Sequence, residues 1–140
     1  ALAVYRQTFR PSEWLKQPYV IVAAGVCAAE TDAEATFLSS SQLLAFARLR
    51  TGTPGKLPSP VHDGEQSIPS PVLAGVRHAL SCAAVGSAAT VRAELGAIVE
   101  AHRPDELIVT GMIHDHAARV RSFQIAADAL QDLCEQPVAA

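Results

Sequence analysis

The residues best suited to chemistry are His114, Asp115 and His116, which directly follow an apolar run ending at Ile113. Two imidazoles beside a carboxylate are groups that bind Zn²⁺, contact a substrate or move a proton. A metal, however, needs three ligands converging on one point, and adjacent residues at a strand end point to opposite sides. We therefore predict no metal site and no catalytic residue here. Asp115 is expected to cap the following helix, with both histidines at the rim of the fold.

The charge pattern argues against several classes of partner. The 140 residues carry a net charge of -3, and the eleven Lys and Arg residues form no run. A nucleic-acid-binding or membrane-surface protein would show a basic patch, so neither partner is expected. The longest apolar stretch, from Tyr19 to Ala29, is about half the length of a membrane span.

Cysteine usage indicates a reducing compartment. Cys27, Cys82 and Cys134 are odd in number and widely spaced, and no two of them form a C-x-x-C pair. Such residues are typical of small core side chains in a reduced protein, which predicts a cytoplasmic location.

A strand followed by a helix is predicted in the first half of the chain. The apolar run from Tyr19 to Ala28 does not alternate with polar residues, which is typical of a strand buried on both faces. The next segment predicts a helix over Thr31–Arg50, because Thr31 and Glu34 form a capping box and Gly52 supplies a stop. Its predicted core face is Phe37, Leu38, Leu44, Ala45 and Leu49.

The second half repeats the pattern after an interruption. Residues 53–71 hold five prolines, which predicts a long irregular loop, and a short helix is expected from Pro71. A helix over Ser87–His102 with Ser87 as its cap is followed by a strand over Glu106–Met112. The last helix is expected to end at Pro137, with a core face of Phe123, Ala126, Ala127, Leu130 and Leu133.

Strands that alternate with helices predict an α/β fold with a parallel sheet and flanking helices. The two predicted strands should be adjacent and joined by a right-handed crossover that contains the helices Thr31–Arg50 and Ser87–His102. Two strands that are apolar on both faces need neighbours that this chain does not fully supply. Further strands or another copy of the chain are therefore expected as partners.

Three segments resemble the C-terminal part of luciferase-like flavin-dependent monooxygenases. The most specific is Asp105 to Ala127, in which Thr-Gly-Met-Ile, His-Asp-His and Arg-x-Arg-Ser stand in register. The group formed by Tyr5, Arg6, Phe9, Pro11 and Ser12 is moderately specific, and Val85-Gly86 before a helix is weak alone. The resemblance covers nearly the whole chain, and the Pro-rich loop matches least well.

The resemblance implies the C-terminal portion of a (β/α)8 TIM barrel, in which residues 1–140 form one partial-barrel domain. The two predicted strands would be the last two of the barrel, and residues 53–71 an insertion between them. The several X-Pro bonds and few apolar anchors of this Pro-rich segment predict a mobile loop, which would act as a lid against water in the full enzyme. The family oxidises an organic substrate with reduced flavin and O2. The cofactor implied for the full-length parent is FMN, although a deazaflavin remains open.

Candidate site residues follow from where barrels place functional groups, at the carboxyl ends of strands. Gly86 and Ser87 open a helix whose free N–H groups suit a flavin phosphate, with an ordinary helix cap as the favoured alternative. Thr110, Met112, His114 and His116 are candidate substrate contacts.

Four other residues are expected to have structural roles. Arg119 and Arg121 are expected to pair with acids such as Asp115 or Glu106, with a phosphate contact as the minor alternative. Trp14 and Tyr19 are expected to pack rather than stack on a flavin.

Two functions remain open at this point. The chain is either the C-terminal section of a flavin-dependent monooxygenase, inactive when isolated, or a non-catalytic α/β module that associates with itself or a partner chain. Most flavin contacts of the resembling family lie in strands that precede this segment. The isolated chain is therefore expected to bind FMN weakly or not at all.

Overall fold

The computed structural model describes residues 1–134 as three parallel strands with helices on both faces. The strands are β1 (Ile21–Ala28), β2 (Ala83–Gly86) and β3 (Glu106–Thr110). The helices are α1 (Leu2–Thr8), α2 (Asp32–Arg50), α3 (Ser70–Ala79), α4 (Ala88–His102) and α5 (His116–Cys134). A short 3-10 helix spans Gly64–Ser67.

The sheet has the order β2-β1-β3, with both neighbours of β1 parallel to it. The predicted adjacency of the two long strands is confirmed, with Ile21 opposite Glu106 and Gly25 opposite Thr110. The predicted count of two strands was wrong, because a third strand, β2, pairs with the carboxyl-terminal half of β1. This strand has four residues, two of them alanine, and so lacks the β-branched run that identifies a strand.

Alternate residues of β1 supply two separate cores. Ala24, Val26 and Ala28 face α4 and α5, where Val91 and Leu95 are fully buried. On the opposite face, near the carboxyl end, a second core contains Cys27, Ala29, Ala35, Leu38 and Ile113. This division explains why β1 reads as continuously apolar in the sequence.

The helix ends follow the predicted signals in most cases. The Thr31 hydroxyl accepts a hydrogen bond from Glu34 N at 3.1 Å, and Gly52 follows α2 with a φ of 77°. The buried faces of α2 and α5 differ slightly from the predicted ones. Leu49 and Ala127 are exposed, whereas Ala47 and Ala129 are buried. The Leu133 side chain and the Pro137 stop lie outside what the structure describes.

Hydrogen bonds connect the N-terminal helix α1 to the end of α4 and to the residues just before β1. Arg6 donates hydrogen bonds to the carbonyl oxygens of His102 and Arg103, at 2.7 and 2.6 Å, where α4 ends. The Tyr5 hydroxyl accepts a hydrogen bond from Tyr19 N at 3.3 Å. The Tyr5-Arg6 pair therefore has a structural role, since both side chains hold α1 against distant parts of the chain.

The face of the sheet at the amino ends of the strands is not covered. Ile21 and Ile108 are 52% and 50% exposed, and the register places them on the same face. Trp14, expected to pack, is 89% exposed. Among the residues that the structure describes, no helix has the length and apolar character needed to cross a membrane.

Candidate functional site

The carboxyl ends of all three strands meet at one edge, as parallel pairing requires. Glu30 and Asp32 follow β1, Ser87 follows β2, and the run from Gly111 to His116 follows β3. Ligands of parallel α/β sheets usually bind at this edge. It is the place where the candidate residues of this chain lie.

Asp115 has the role predicted for it. Its Oδ1 accepts a hydrogen bond from Ala118 N at 2.8 Å, which caps α5. No three histidine, cysteine, aspartate or glutamate side chains within residues 1–134 converge as metal ligands would. The run His114-Asp115-His116 lies at the junction between β3 and α5.

The predicted substrate contacts are accessible. Thr110, Met112, His114 and His116 all have exposed side chains, whereas Ile113 between them is buried in the second core. His116 is held in place, because Arg119 lies 2.8 Å from its Nδ1. Their contact with a substrate stays a prediction.

Arg121 forms the expected salt bridge with an unexpected partner. Its Nε lies 2.7 Å from Oε1 of Glu30, which joins α5 to the end of β1. The guanidinium lowers the pKa of the Glu30 carboxyl. Glu106, one of the acids expected to pair with an arginine, instead accepts a hydrogen bond from the Tyr19 hydroxyl at 2.5 Å. This contact raises the pKa of Tyr19.

A second connection between α5 and β1 is buried. Ser122 Oγ accepts a hydrogen bond from Ala28 N at 2.8 Å, and Ser122 is 1% exposed. A buried amide without a partner costs about 1–3 kcal/mol, so this hydroxyl stabilises the end of β1. It also explains the serine in the Arg-x-Arg-Ser motif.

The carboxylate side chain of Asp32 lies at the start of α4. Asp32 Oδ1 accepts hydrogen bonds from Ser87 N at 2.6 Å and from Thr90 Oγ1 at 2.8 Å. These bonds, first that from the Ser87 amide, lower the pKa of Asp32. Ser87 occupies the N-cap position as predicted, but its own side chain makes no capping bond.

This carboxylate bears directly on the candidate phosphate site. The Ser87 amide that a phosphate would use already donates to Asp32. Two anions at one amide repel, so the arrangement does not fit a phosphate unless Asp32 moves. Binding of a flavin phosphate at Gly86 and Ser87 stays a prediction that requires such a movement.

The cysteine nearest this edge is not reactive. Cys27 is 2% exposed, and burial raises the pKa of its thiol to about 12. Since the thiolate is the reactive form, Cys27 acts as a small core residue at neutral pH. Cys82 is likewise a free thiol.

Sequence reasoning missed a cleft beside this edge. It has a volume of about 590 Å³ and lies between α2, the loop before α3, α3 itself and β2. The Pro-rich loop closes one side, where Val61 N donates to Ser40 Oγ at 2.8 Å. The residues that line the cleft come from segments far apart in the sequence, so no local pattern indicated it.

Taken together, the fold is a parallel α/β sheet with its accessible polar groups at the carboxyl edge. A luciferase-like monooxygenase of Escherichia coli (strain K12) is 40% identical over 133 residues, which are 95% of this chain and 40% of the relative. The uncharacterized protein YvbT of Bacillus subtilis (strain 168) is 38% identical over 91% of this chain and 38% of its own length. No family model matches the chain.

A solved structure shares the fold. The crystal structure of apo-MsnO8 matches with a TM-score of 0.71 and 30% identity, over 93% of this chain and 40% of that one. The resemblance to luciferase-like monooxygenases drawn from the sequence is therefore confirmed. The chain spans about 40% of the length of the relatives it matches.

Proposed function

We propose that this chain is the C-terminal section of a flavin-dependent monooxygenase that oxidises an organic substrate with reduced flavin and O2. The observation that carries the proposal is the 40% identity to a luciferase-like monooxygenase over 95% of this chain. When bound, reduced flavin supplies the electrons for the reaction with O2. The described residues would contribute the rim of the site.

The uncovered parts of the sheet support a place in a larger fold. The outer edge of β3 pairs with no strand in the described part of the chain, and Ile21 and Ile108 expose one apolar face. Apolar faces and open strand edges are normally covered in a finished domain. In the (β/α)8 barrel that the resemblance implies for the full-length protein, a further strand would pair with the open edge of β3.

The residues at the carboxyl edge suit a supporting role. The side chains of Met112 and His114 are exposed after the end of β3, so they are accessible to a substrate. Glu30, Arg121 and Ser122 fix the end of β1 against α5. The chain would thus position one wall of the site.

A graft into the E. coli relative tests this proposal. The present chain would replace the matching 40% of that protein, and FMN binding would be followed by quenching of flavin fluorescence. We expect both the graft and the unmodified E. coli protein to bind FMN stoichiometrically. A graft that folds, by circular dichroism and sedimentation, but does not bind FMN would contradict the proposal. A parent that does not bind FMN would contradict the flavin assignment.

The same uncovered face also supports the alternative function. In that case the chain is a non-catalytic module that associates with itself or with a partner chain. We expect the isolated chain to form a dimer or larger assembly through β1 and β3, because water contact with this face is unfavourable. Sedimentation at micromolar protein concentration measures this. A clean monomer would contradict the expectation.

A substitution and a matched control test whether the uncovered face forms the contact between copies of the chain. Ile108→Lys places a charge on the uncovered face and should shift the chain toward monomer. Val120→Lys, at a site 44% exposed on α5, is the control and should leave the assembly unchanged.

A further inference from the structure

The cleft between α2 and α3 has the dimensions of a ligand site. Its volume of about 590 Å³ falls within the range of small-molecule pockets, roughly 300–1,000 Å³. Four different elements contribute to its lining, so its shape depends on the tertiary fold rather than on one loop. None of the groups so far assigned to the carboxyl edge, such as Asp32 or His114, lines it.

The interior of the cleft is apolar and partly aromatic. Leu43, Leu80 and Val85 line it and are half-buried. Phe37 stacks against His62, with ring centroids 4.5 Å apart and an interplanar angle of 28°. Both rings contribute aromatic surface to the lining of the cleft.

Two carboxylates line the cleft, and only one of them is paired with an arginine. Arg77 donates to both carboxylate oxygens of Glu65, with NH2–Oε2 at 2.5 Å and Nε–Oε1 at 3.3 Å. Asp63 also lines the cleft, and its carboxylate makes no hydrogen bond or ion pair with the described residues. Two carboxylates and one guanidinium leave an excess of one negative charge, and Asp63 carries it.

We propose that this cleft binds an amphiphilic organic cation, an aromatic or apolar body that carries an amine. The body would pack on Leu43, Leu80 and the Phe37 ring, and the ammonium group would pair with Asp63. An organic anion would compete with Glu65 for Arg77 and meet the Asp63 carboxylate. This proposal does not depend on flavin.

Two probes of matched shape and opposite charge test the proposal. Tryptamine and indole-3-propionate would be titrated into the 140-residue chain by isothermal calorimetry. We expect tryptamine to bind and the anion to bind about five-fold more weakly, as an exposed charge pair worth about 1 kcal/mol implies. Equal or tighter binding of the anion would overturn the charge assignment. No binding of tryptamine at about 1 mM would overturn the site itself.

Two substitutions test whether the Asp63 carboxylate causes the preference for tryptamine over the anion. Asp63→Asn removes the charge, and asparagine tolerates the left-handed backbone at this position, where φ is 54°. We expect this variant to lose the preference for tryptamine, whereas Asp128→Asn, at an exposed position on α5, should keep it. Unchanged tryptamine affinity in Asp63→Asn would contradict the proposal.

Discussion

The isolated 140-residue chain is expected to bind FMN weakly or not at all and to turn over no substrate. A flavin site must enclose the ring, hold the phosphate and exclude water. The described chain offers a sheet whose amino-end face is open, where Ile21 and Ile108 are half exposed. Its one candidate phosphate position is already occupied by the Asp32 carboxylate. We therefore expect neither the ring nor the phosphate to find a complete site in the described part of the chain.

Titration with oxidised FMN, followed by fluorescence quenching, measures this directly. The grafted E. coli protein provides the control, because it should quench flavin fluorescence under the same conditions. Stoichiometric binding by the isolated chain, with a dissociation constant of about 1 µM, would show that the chain forms a complete site. The proposed dependence on further strands would then be wrong.

Gly86→Ala is expected to lower the free energy of unfolding by about 3 kcal/mol, the upper end for an overpacked site. A Cβ atom at this position would lie 2.6 Å from Cβ and Cγ2 of Thr90 and 2.7 Å from Oδ1 of Asp32. Relief requires Thr90 or Asp32 to move, which breaks the hydrogen bonds that join the starts of α2 and α4. Urea denaturation at one fixed protein concentration measures the loss.

Gly55→Ala is the matched control for this prediction. A Cβ atom there would meet no heavy atom within 4 Å, so stability should change by no more than about 0.5 kcal/mol. If both variants unfolded at the same urea concentration, the close contact at Gly86 would not constrain the fold. The Val85-Gly86 motif would then need another explanation.

The parts of the fold that depend on local sequence were predictable. The Asp115 cap and the Thr31 cap each involve residues three apart, so the sequence pattern contains both partners. The parallel neighbours β1 and β3 followed from two apolar runs separated by helices. The strand β2 was missed because its short alanine-rich sequence has no strand periodicity.

The contacts at the carboxyl edge could not be predicted in the same way. Asp32 and Ser87 are 55 residues apart, and Glu30 and Arg121 are 91 apart. An acid in the first turn of a helix is sufficiently explained by the helix dipole, so the sequence provided no reason to assign Asp32 a distant partner. Such pairings become visible only when the tertiary fold brings the elements together.

The staggered pairing along β1 limits how any additional strand can join the sheet. Ile21–Gly25 pairs with β3, and Gly25–Ala28 pairs with β2 on the opposite side. On the β2 side, no strand of the described chain pairs with the four residues Ile21–Ala24, a length of about 13 Å at the usual rise per residue. The Cys82 carbonyl oxygen, just before β2, already accepts a hydrogen bond from Gly25 N at 2.9 Å. The segment that leads into β2 would thus limit how far an added strand could extend along this edge of β1.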